Sequence, residues 1–324
     1  MGWEPDAETA LIGGLEPVAR LEVVDYDARW PARFEAERSR IAGALGDGAL
    51  DIEHIGSTSV PGLAAKPIID ILVVVADVED DASFGPALEG AGYGLRVREP
   101  DHRMFRTPAR DVHIHVYTQG SHEIVDYLDL RDWLREDADG RSRYAAVKLE
   151  LAARPWRDMN EYAVAKSPIV DDTLRRAREW RCARHRAVVH RLFDEVWNGR
   201  RLDVIDELYS PALVFDYRPY GPLRHGRESV RDAVERAWVA FPDYHEELLS
   251  MVAEGWRVAV YLRTTGTQLG QWGPLAPTGK RLEFEEMILL TFDSSGRVVH
   301  QRGIVDNLNA LRQAGVIPTP PARD

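Results

Sequence analysis

The stretch EHIGSTSVPGLAAKPIIDILVVV, Glu53 to Val75, joins a Gly-Ser turn to an apolar strand that carries one acid, Asp70. Gly56 lets the backbone approach a ligand closely, and Ser57, Thr58 and Ser59 offer hydroxyls beside it. An unpaired carboxylate inside an apolar strand is expensive. Asp70 must therefore be paired, solvated in a cleft, or bound to a metal ion. Phosphoryl and nucleotidyl transfer ask for such equipment: backbone N–H groups or a hydroxyl on phosphate oxygens, and carboxylates that hold divalent cations.

Working outward, RWPARFEAERSRIAGALG places Phe34, Ile41 and Leu45 on one helical face. ALDIEHIGST reads as strand then turn, and KPIIDILVVV as a buried strand bounded by Pro67. GYGLR, HRMFRT and DVHIHVYT follow as short strands. From SHEIVDYLDLRDWLRED through GRSRYAAVKLELAAR and MNEYAVAKSPIVDDTLRRAREW the pattern is helical. The front half is thus expected to be an α/β sheet with helices. No Gly or Pro occurs from Ile169 to Asn198, which predicts one long helix or two abutting ones, and a domain boundary near residue 180. Beyond it come helical HRAVVHRLFDEVWNGRRLDVIDELYS, a strand in PALVFDY and a helix in GRESVRDAVERAWVAF. The strand-like runs HEELLSMVAE, WRVAVYLRTTGTQ, RLEFEEMILLTFD and RVVHQRGIVD finish it, with DSSG as the last hairpin turn. Helices first and a long meander afterwards predict an α+β domain with a curved antiparallel sheet. The expected division is a flexible N-terminus at 1–19, domains at 20–180 and 181–317, and a loose tail at 318–324.

A chain of 324 residues with 44% hydrophobic content is long enough for two cores. Its net charge of -12 comes entirely from the front: residues 1–180 hold 22 Lys and Arg against 34 Asp and Glu, and the rest balance at 19 each. Nucleic-acid binding needs concentrated positive charge, so DNA and RNA are not expected partners. No apolar run approaches the about 20 residues that span a bilayer. The N-terminal residues lack a basic region before an apolar one, unlike a signal peptide. Cys182 is the only cysteine, which excludes an intrachain disulfide and fits a cytoplasmic location. Only four of the 41 basic residues are Lys, at 66, 148, 166 and 280. Against such a preference for Arg, a Lys marks a position suited to a compact ammonium.

HIGSTSVPGLAAKPIID, followed by HIHV, LDLRDWL, YAAVKLELA and YAVAKSPIV, resembles the GrpB family over roughly residues 20–175. That resemblance implies a fold related to the nucleotidyltransferases, with a bound nucleoside triphosphate and a divalent metal (Mg, Mn or Zn). Active nucleotidyltransferases follow the Gly-Ser turn with Asp-x-Asp or Asp-x-Glu and place a third carboxylate on a neighbouring strand. Here the position two beyond Asp70 is Leu72. DVHIHVY offers His113 and His115 instead, on one face because strand side chains alternate. Imidazoles suit Zn²⁺ or Mn²⁺ better than Mg²⁺. Glu53 or His54 completes the expected metal set. Gly56, Ser57, Thr58, Lys66, Lys148, Lys166 and Arg131 are the expected nucleotide contacts, and Asp70 and Ser57 the expected catalytic groups. Arg131 and Asp132 point differently around their helix, so one of the two is expected to face the cleft.

FDEVWNGRRLDVIDELYSPALVFD, AFPDYHEELLSMVAEG, TTGTQLGQWGPLAPTGKRLEF and DNLNALRQAGVI resemble the SnoaL-like polyketide cyclases over roughly residues 185–317. The resemblance implies the cone-shaped α+β fold also seen in nuclear transport factor 2, an apolar pocket for a small molecule, no cofactor, and a homodimer. Alternation along VVHQRGIVD puts His300, Arg302 and Asp306 on one side if no bulge intervenes. A carboxylate at the mouth of an apolar pocket suits acid/base work, and Arg302 or His300 would serve as donor to an enolate. The family's final strand typically carries Glu and Trp where His300 and Arg302 stand. Asp216, Tyr217, Trp238, His245, Trp272 and Glu286 are the expected lining.

Three readings follow. The chain is a bifunctional small-molecule enzyme of specialised metabolism; or only its second domain is catalytic and the first is a nucleotide-binding scaffold; or it is a non-catalytic, ligand-binding assembly protein.

Overall fold

The computed structural model describes Ile12, residues 22–157 and residues 159–318. Apart from Ile12, the N-terminus expected to be flexible (1–19) lies outside the described residues, as does the tail beyond Pro318. Two compact units divide the chain, the first ending at Glu179 and the second beginning at Trp180. Among the described residues no helix is long and apolar enough to cross a membrane.

The first unit opens with α1 (Trp30–Leu45). Pro31 sits in its first turn, where a missing N–H forfeits no helical bond. Trp30, Phe34 and Ile41 recur at helical spacing and are its buried face. There follow β1 (Asp51–Ile55), β2 (Ile69–Val75), α2 (Gly85–Gly90), β3 (Gly94–Glu99), β4 (His102–Arg106) and β5 (Val112–Thr118). Then come α3 (His122–Glu136), α4 (Ala138–Ala152) and α5 (Met159–Arg191). The strands form one mixed sheet in the order β1-β2-β5-β4-β3, with β2 parallel to β5 and the other neighbours antiparallel. Every residue of β2 is buried except Asp70, which is half-buried. The parallel register sets Asp70 beside His113 and Leu72 beside His115, so all four side chains share one face. On the alternative of one helix or two around residue 180, α5 is a single helix through that point, with Pro168 inside it, and a π-helical stretch Leu192–Trp197 follows.

The second unit continues with α6 (Ile205–Leu208), β6 (Tyr209–Asp216), β7 (Arg224–His225) and α7 (Glu228–Ala240). The strands β8 (His245–Glu254), β9 (Arg257–Thr267), β10 (Arg281–Phe292) and β11 (Val298–Val305) lead to α8 (Asn307–Ala314). The meander β8 to β11 is antiparallel, as the alternation predicts. The edge adds β6, which runs parallel to β11, so the six-stranded sheet β7-β6-β11-β10-β9-β8 is mixed. At the DSSG turn the Asp293 carboxylate accepts from the N–H groups of Ser295 and Arg297, and Gly296 takes a φ of 79°. Strict alternation in β10 buries Leu282, Phe284, Glu286, Ile288 and Leu290, so one carboxyl stands in an otherwise apolar row.

Pairing is regular from His300 to Val305, so His300 and Arg302 share one side of the last strand, but it is not the inward side. The pairings of β11 shift between Val298 and His300. Val298, Gln301 and Gly303 are consequently buried, and His300 and Arg302 are only half-buried. Gly303 is needed where it stands, because a Cβ there would lie 2.1 Å from the Tyr217 ring. Gly303→Ala is therefore expected to destabilise the protein by about 1–3 kcal/mol. Urea unfolding reads this as a lower midpoint at unchanged slope; an unshifted midpoint would show that the ring yields freely.

Candidate functional site

In the first unit the Gly-Ser turn and Asp70 meet directly. Gly56 has a φ of 70°, and a Cβ on it would lie 2.3 Å from Asp70 Oδ2. Only glycine satisfies both conditions. The three hydroxyls of the turn then separate. Thr58 is buried, donates to the Ile68 carbonyl at 2.9 Å and meets His54 Nε2 at 3.1 Å. Ser59 donates to the Gly56 carbonyl at 2.6 Å. Both fasten the turn, and Thr58 does not present its hydroxyl as a ligand contact. Ser57 lines the cleft, with Lys148 Nζ 2.7 Å from its Oγ.

Asp70 Oδ1 lies 3.5 Å from His113 Nδ1 and 3.9 Å from His115 Nε2. Burial alone would raise this carboxyl, but the two imidazoles beside it override burial and hold it well below the usual carboxylate range. Burial pushes His115 down. Its Nδ1 stands 3.2 Å from His102 Nε2, and His102 Nδ1 stands 3.2 Å from Glu99 Oε2. A carboxylate-to-imidazole chain of this kind fixes the ring and leaves the far nitrogen aimed at the site.

Glu53 does not join this set. It accepts from Arg131 Nη1 at 2.6 Å, and Arg131 Nε donates to Asp132 at 2.8 Å. Of the adjacent Arg131 and Asp132, Arg131 lines the cleft, and its guanidinium ties α3 to β1 while pairing with Asp132. His54 is buried against Thr58 and stacked on Phe34, and burial lowers its pKa to about 4. Neither residue completes a metal set.

Three of the four lysines gather near the turn. Lys66 Nζ lies 4.2 Å from the Tyr162 ring centroid, and Lys166 Nζ lies 5.4 Å from that of Tyr144. Burial, then the Lys166 charge, lowers Lys148 to about 7 and Lys66 to about 8. Burial also opposes the charge on Lys166, but Tyr144 more than offsets it and raises the pKa. The cleft in front of this group measures about 890 Å³. Gly56, Ser57, Asp70, His115 and Lys166 line one part, and Tyr117, Tyr127, Met104, Leu130 and Leu174 supply an aromatic and apolar part.

In the second unit the strand-end residues are placed differently from expectation. Asp306 is exposed and caps α8, accepting from the Asn309 N–H at 3.1 Å. Arg302 pairs with Asp216 at 2.6 Å, and Arg218 and Arg302 together hold that carboxyl low. His300, Arg302 and Asp306 therefore form no interior acid/base group. His245 is exposed, Trp238 donates to the Trp197 carbonyl at 3.0 Å, and Trp272 packs on Phe241 and Phe284.

The polar interior lies elsewhere. Tyr209 donates to Gln301 at 2.7 Å, Gln301 to the Tyr217 oxygen at 2.8 Å, and Tyr217 to Glu286 at 2.7 Å. Glu246 is opposite Thr264 and Glu286 opposite Leu262, two positions apart on β9, so both acids share the inner face. Tyr244 donates to one Glu246 oxygen, and the other is buried with no hydrogen-bond partner among the described residues. Burial, then the Glu286 charge, raises Glu246 well above its ordinary value, and burial raises Glu286 to about 7.

Residues 20–176 match the family model described as GrpB protein, and residues 187–314 match that of the SnoaL-like polyketide cyclases. A UPF0157 protein of Streptomyces coelicolor is 53% identical over 167 residues, which is 51% of this chain and 89% of that one. The glutamate-rich protein GrpB of Alkalihalophilus pseudofirmus is 30% identical over 163 residues, 47% of this chain and 92% of that one. The chain belongs to the GrpB family. A crystal structure of GrpB from Enterococcus faecalis aligns with 48% of the chain and 98% of its own, at 32% identity and a TM-score of 0.43. The GrpB-like unit thus carries the cleft, and the SnoaL-like unit carries the buried acids.

Sequence reasoning missed His102, Glu99 and Tyr127 in the GrpB-like unit, since strand register brings His102 and Glu99 to His115, and only the packing of α3 brings Tyr127 to the cleft. It also missed Glu246, Tyr244, Tyr209 and Gln301 in the SnoaL-like unit. Glu286 did carry a signal, as the one acid in the inward row of β10.

The raised pKa of Glu286 sets a pH dependence. The folded protein keeps a proton that the unfolded chain releases near 4.5. This contribution is whole below pH 4.5 and is lost as pH rises through about 7. Relative to Glu286→Gln, wild type should lose roughly 3 kcal/mol of unfolding free energy across that interval. Urea unfolding at a series of pH values checks it; a constant difference between the two proteins would mean that Glu286 is already ionised.

Proposed function

We propose that the GrpB-like unit binds a nucleoside triphosphate together with a divalent cation and transfers a nucleotidyl or phosphoryl group to a small acceptor. The observation that carries this reading is the meeting of Asp70, His113 and His115, whose donor atoms all lie within 4.8 Å of one another. A tetrahedral ion with bonds of about 2.1 Å sets its ligand atoms roughly 3.4 Å apart, close to the separations around Asp70. Two imidazoles and one carboxylate favour Zn²⁺ or Mn²⁺ over Mg²⁺. His113 and His115 would supply what the strand lacks at Leu72. The ion would neutralise phosphate charge and polarise a phosphoryl oxygen. Lys166 would meet phosphate oxygens as a compact charge, and the Tyr117 and Tyr127 side of the cleft would take an apolar or aromatic moiety.

Calorimetry with ATP in the presence of Mn²⁺ or Zn²⁺ tests this. Saturable binding is expected, weakened by roughly tenfold or more in Asp70→Ala, since that change removes the charged ligand from the site. No heat with Mg²⁺, Mn²⁺ or Zn²⁺ would remove the reading.

The two-domain architecture supports a small-molecule-binding or enzymatic role for the chain as a whole. For the SnoaL-like unit we propose proton transfer on a small, largely apolar carbonyl compound by Glu286 and Glu246. One acid near pKa 7 beside another held neutral is the pattern of an acid/base pair. With a bound ketone, hydrogen–deuterium exchange next to the carbonyl should fall roughly 100-fold or more in Glu286→Gln and stay unchanged in Asp306→Asn. The opposite outcome would return the role to the strand end.

A further inference from the structure

The hydroxyl of Ser57 is held unlike its two neighbours. Thr58 and Ser59 each donate their single proton to a backbone carbonyl. Ser57 meets an amine, with Lys148 Nζ 2.7 Å from Oγ. Lys148 is buried, at 4% exposure, and its other bond goes to the Ala64 carbonyl at 3.1 Å. Ser57 lines the cleft. The lysine is thus spent on protein groups, and what it does for a ligand it does through the serine. A phosphate-holding charge is already available from Lys166 in the cleft wall.

We propose that Ser57 is a nucleophile, that Lys148 takes its proton, and that the transferred group passes through a phosphoester on Ser57. The proposal rests on the reading of the cleft as a nucleotide site and goes beyond it by making the transfer a double displacement. In the first step Ser57 Oγ forms a bond to phosphorus, and its proton moves to the lone pair on neutral Lys148 Nζ. The bond from phosphorus to the leaving oxygen breaks, and that oxygen departs with the electron pair. The leaving group is pyrophosphate if the α-phosphorus is attacked and nucleoside diphosphate if the γ-phosphorus is. In the second step an acceptor hydroxyl attacks the ester, Ser57 Oγ leaves with its electrons, and Lys148 returns a proton to it. The acceptor's own proton passes to solvent. Every atom is accounted for by the nucleotide, the acceptor and these two side chains. Burial and the Lys166 and Lys66 charges favour the neutral amine that the first step needs.

The full chain is incubated with Mn²⁺ and ATP labelled at either the α- or the γ-phosphorus, with no acceptor added, then denatured in acid and mapped by peptide mass spectrometry. The expected result is an acid-stable ester on Ser57, and the label that stays behind identifies the phosphorus attacked. Ser57→Ala abolishes it. Lys148→Arg keeps a hydrogen-bond donor beside Ser57 but has no lone pair to take its proton, so labelling falls roughly 100-fold or more while ATP binding by calorimetry persists. Bound ATP without any label, a label on another residue, or full labelling in Lys148→Arg would each overturn the proposal while leaving the nucleotide site standing. No ATP binding at all would remove the site and the proposal together.

Discussion

Everything in the first unit turns on one carboxylate placed inside an apolar strand. Asp70 cannot remain charged there without compensation, and the surrounding structure supplies it on three sides. The parallel partner strand brings two imidazoles. The turn must come close enough that only a glycine fits against the carboxylate oxygen. The cleft keeps the group partly solvated. Remove the charge, and the glycine, the paired histidines and the relay to Glu99 lose their common purpose.

The second unit meets the same physical difficulty in the opposite way. Glu246 and Glu286 lie deep on an inner face with tyrosines and a glutamine, and among the described residues no cation stands among their hydrogen-bond partners. They are accommodated by keeping protons rather than by gaining counter-charge. One unit therefore holds its carboxyl ionised, and the other holds its carboxyls protonated.

Much of the fold was legible because burial dictates periodicity. The exposed-then-buried alternation of β10 and the 3.6-residue spacing of α1 are visible in the residues themselves. Asp70, Ser57 and the two histidines of β5 were legible for a related reason, since polar residues in apolar strands stand out. What failed depended on register and bulges. One irregularity at Val298–His300 reverses which side of β11 faces inward, so Gln301 replaces His300 and Arg302 in the interior. Glu53 was read as a metal ligand because it is a sensible one until Arg131 is known to be within reach. His102 and Glu246 take their meaning from neighbours far along the chain, which no local pattern reveals.

The scarcity of lysine has a consequence of its own. Three of the four primary amines on side chains gather about one turn, and the fourth, Lys280, donates to the Ala314 carbonyl. In most proteins amine-directed reagents scatter over the surface. Here acylation or reductive methylation becomes an occupancy gauge for one region, and ¹³C-methyl signals would be few enough to resolve singly. A composition that uses arginine almost everywhere else leaves the cleft as the spectroscopically quietest background in which to watch a ligand arrive.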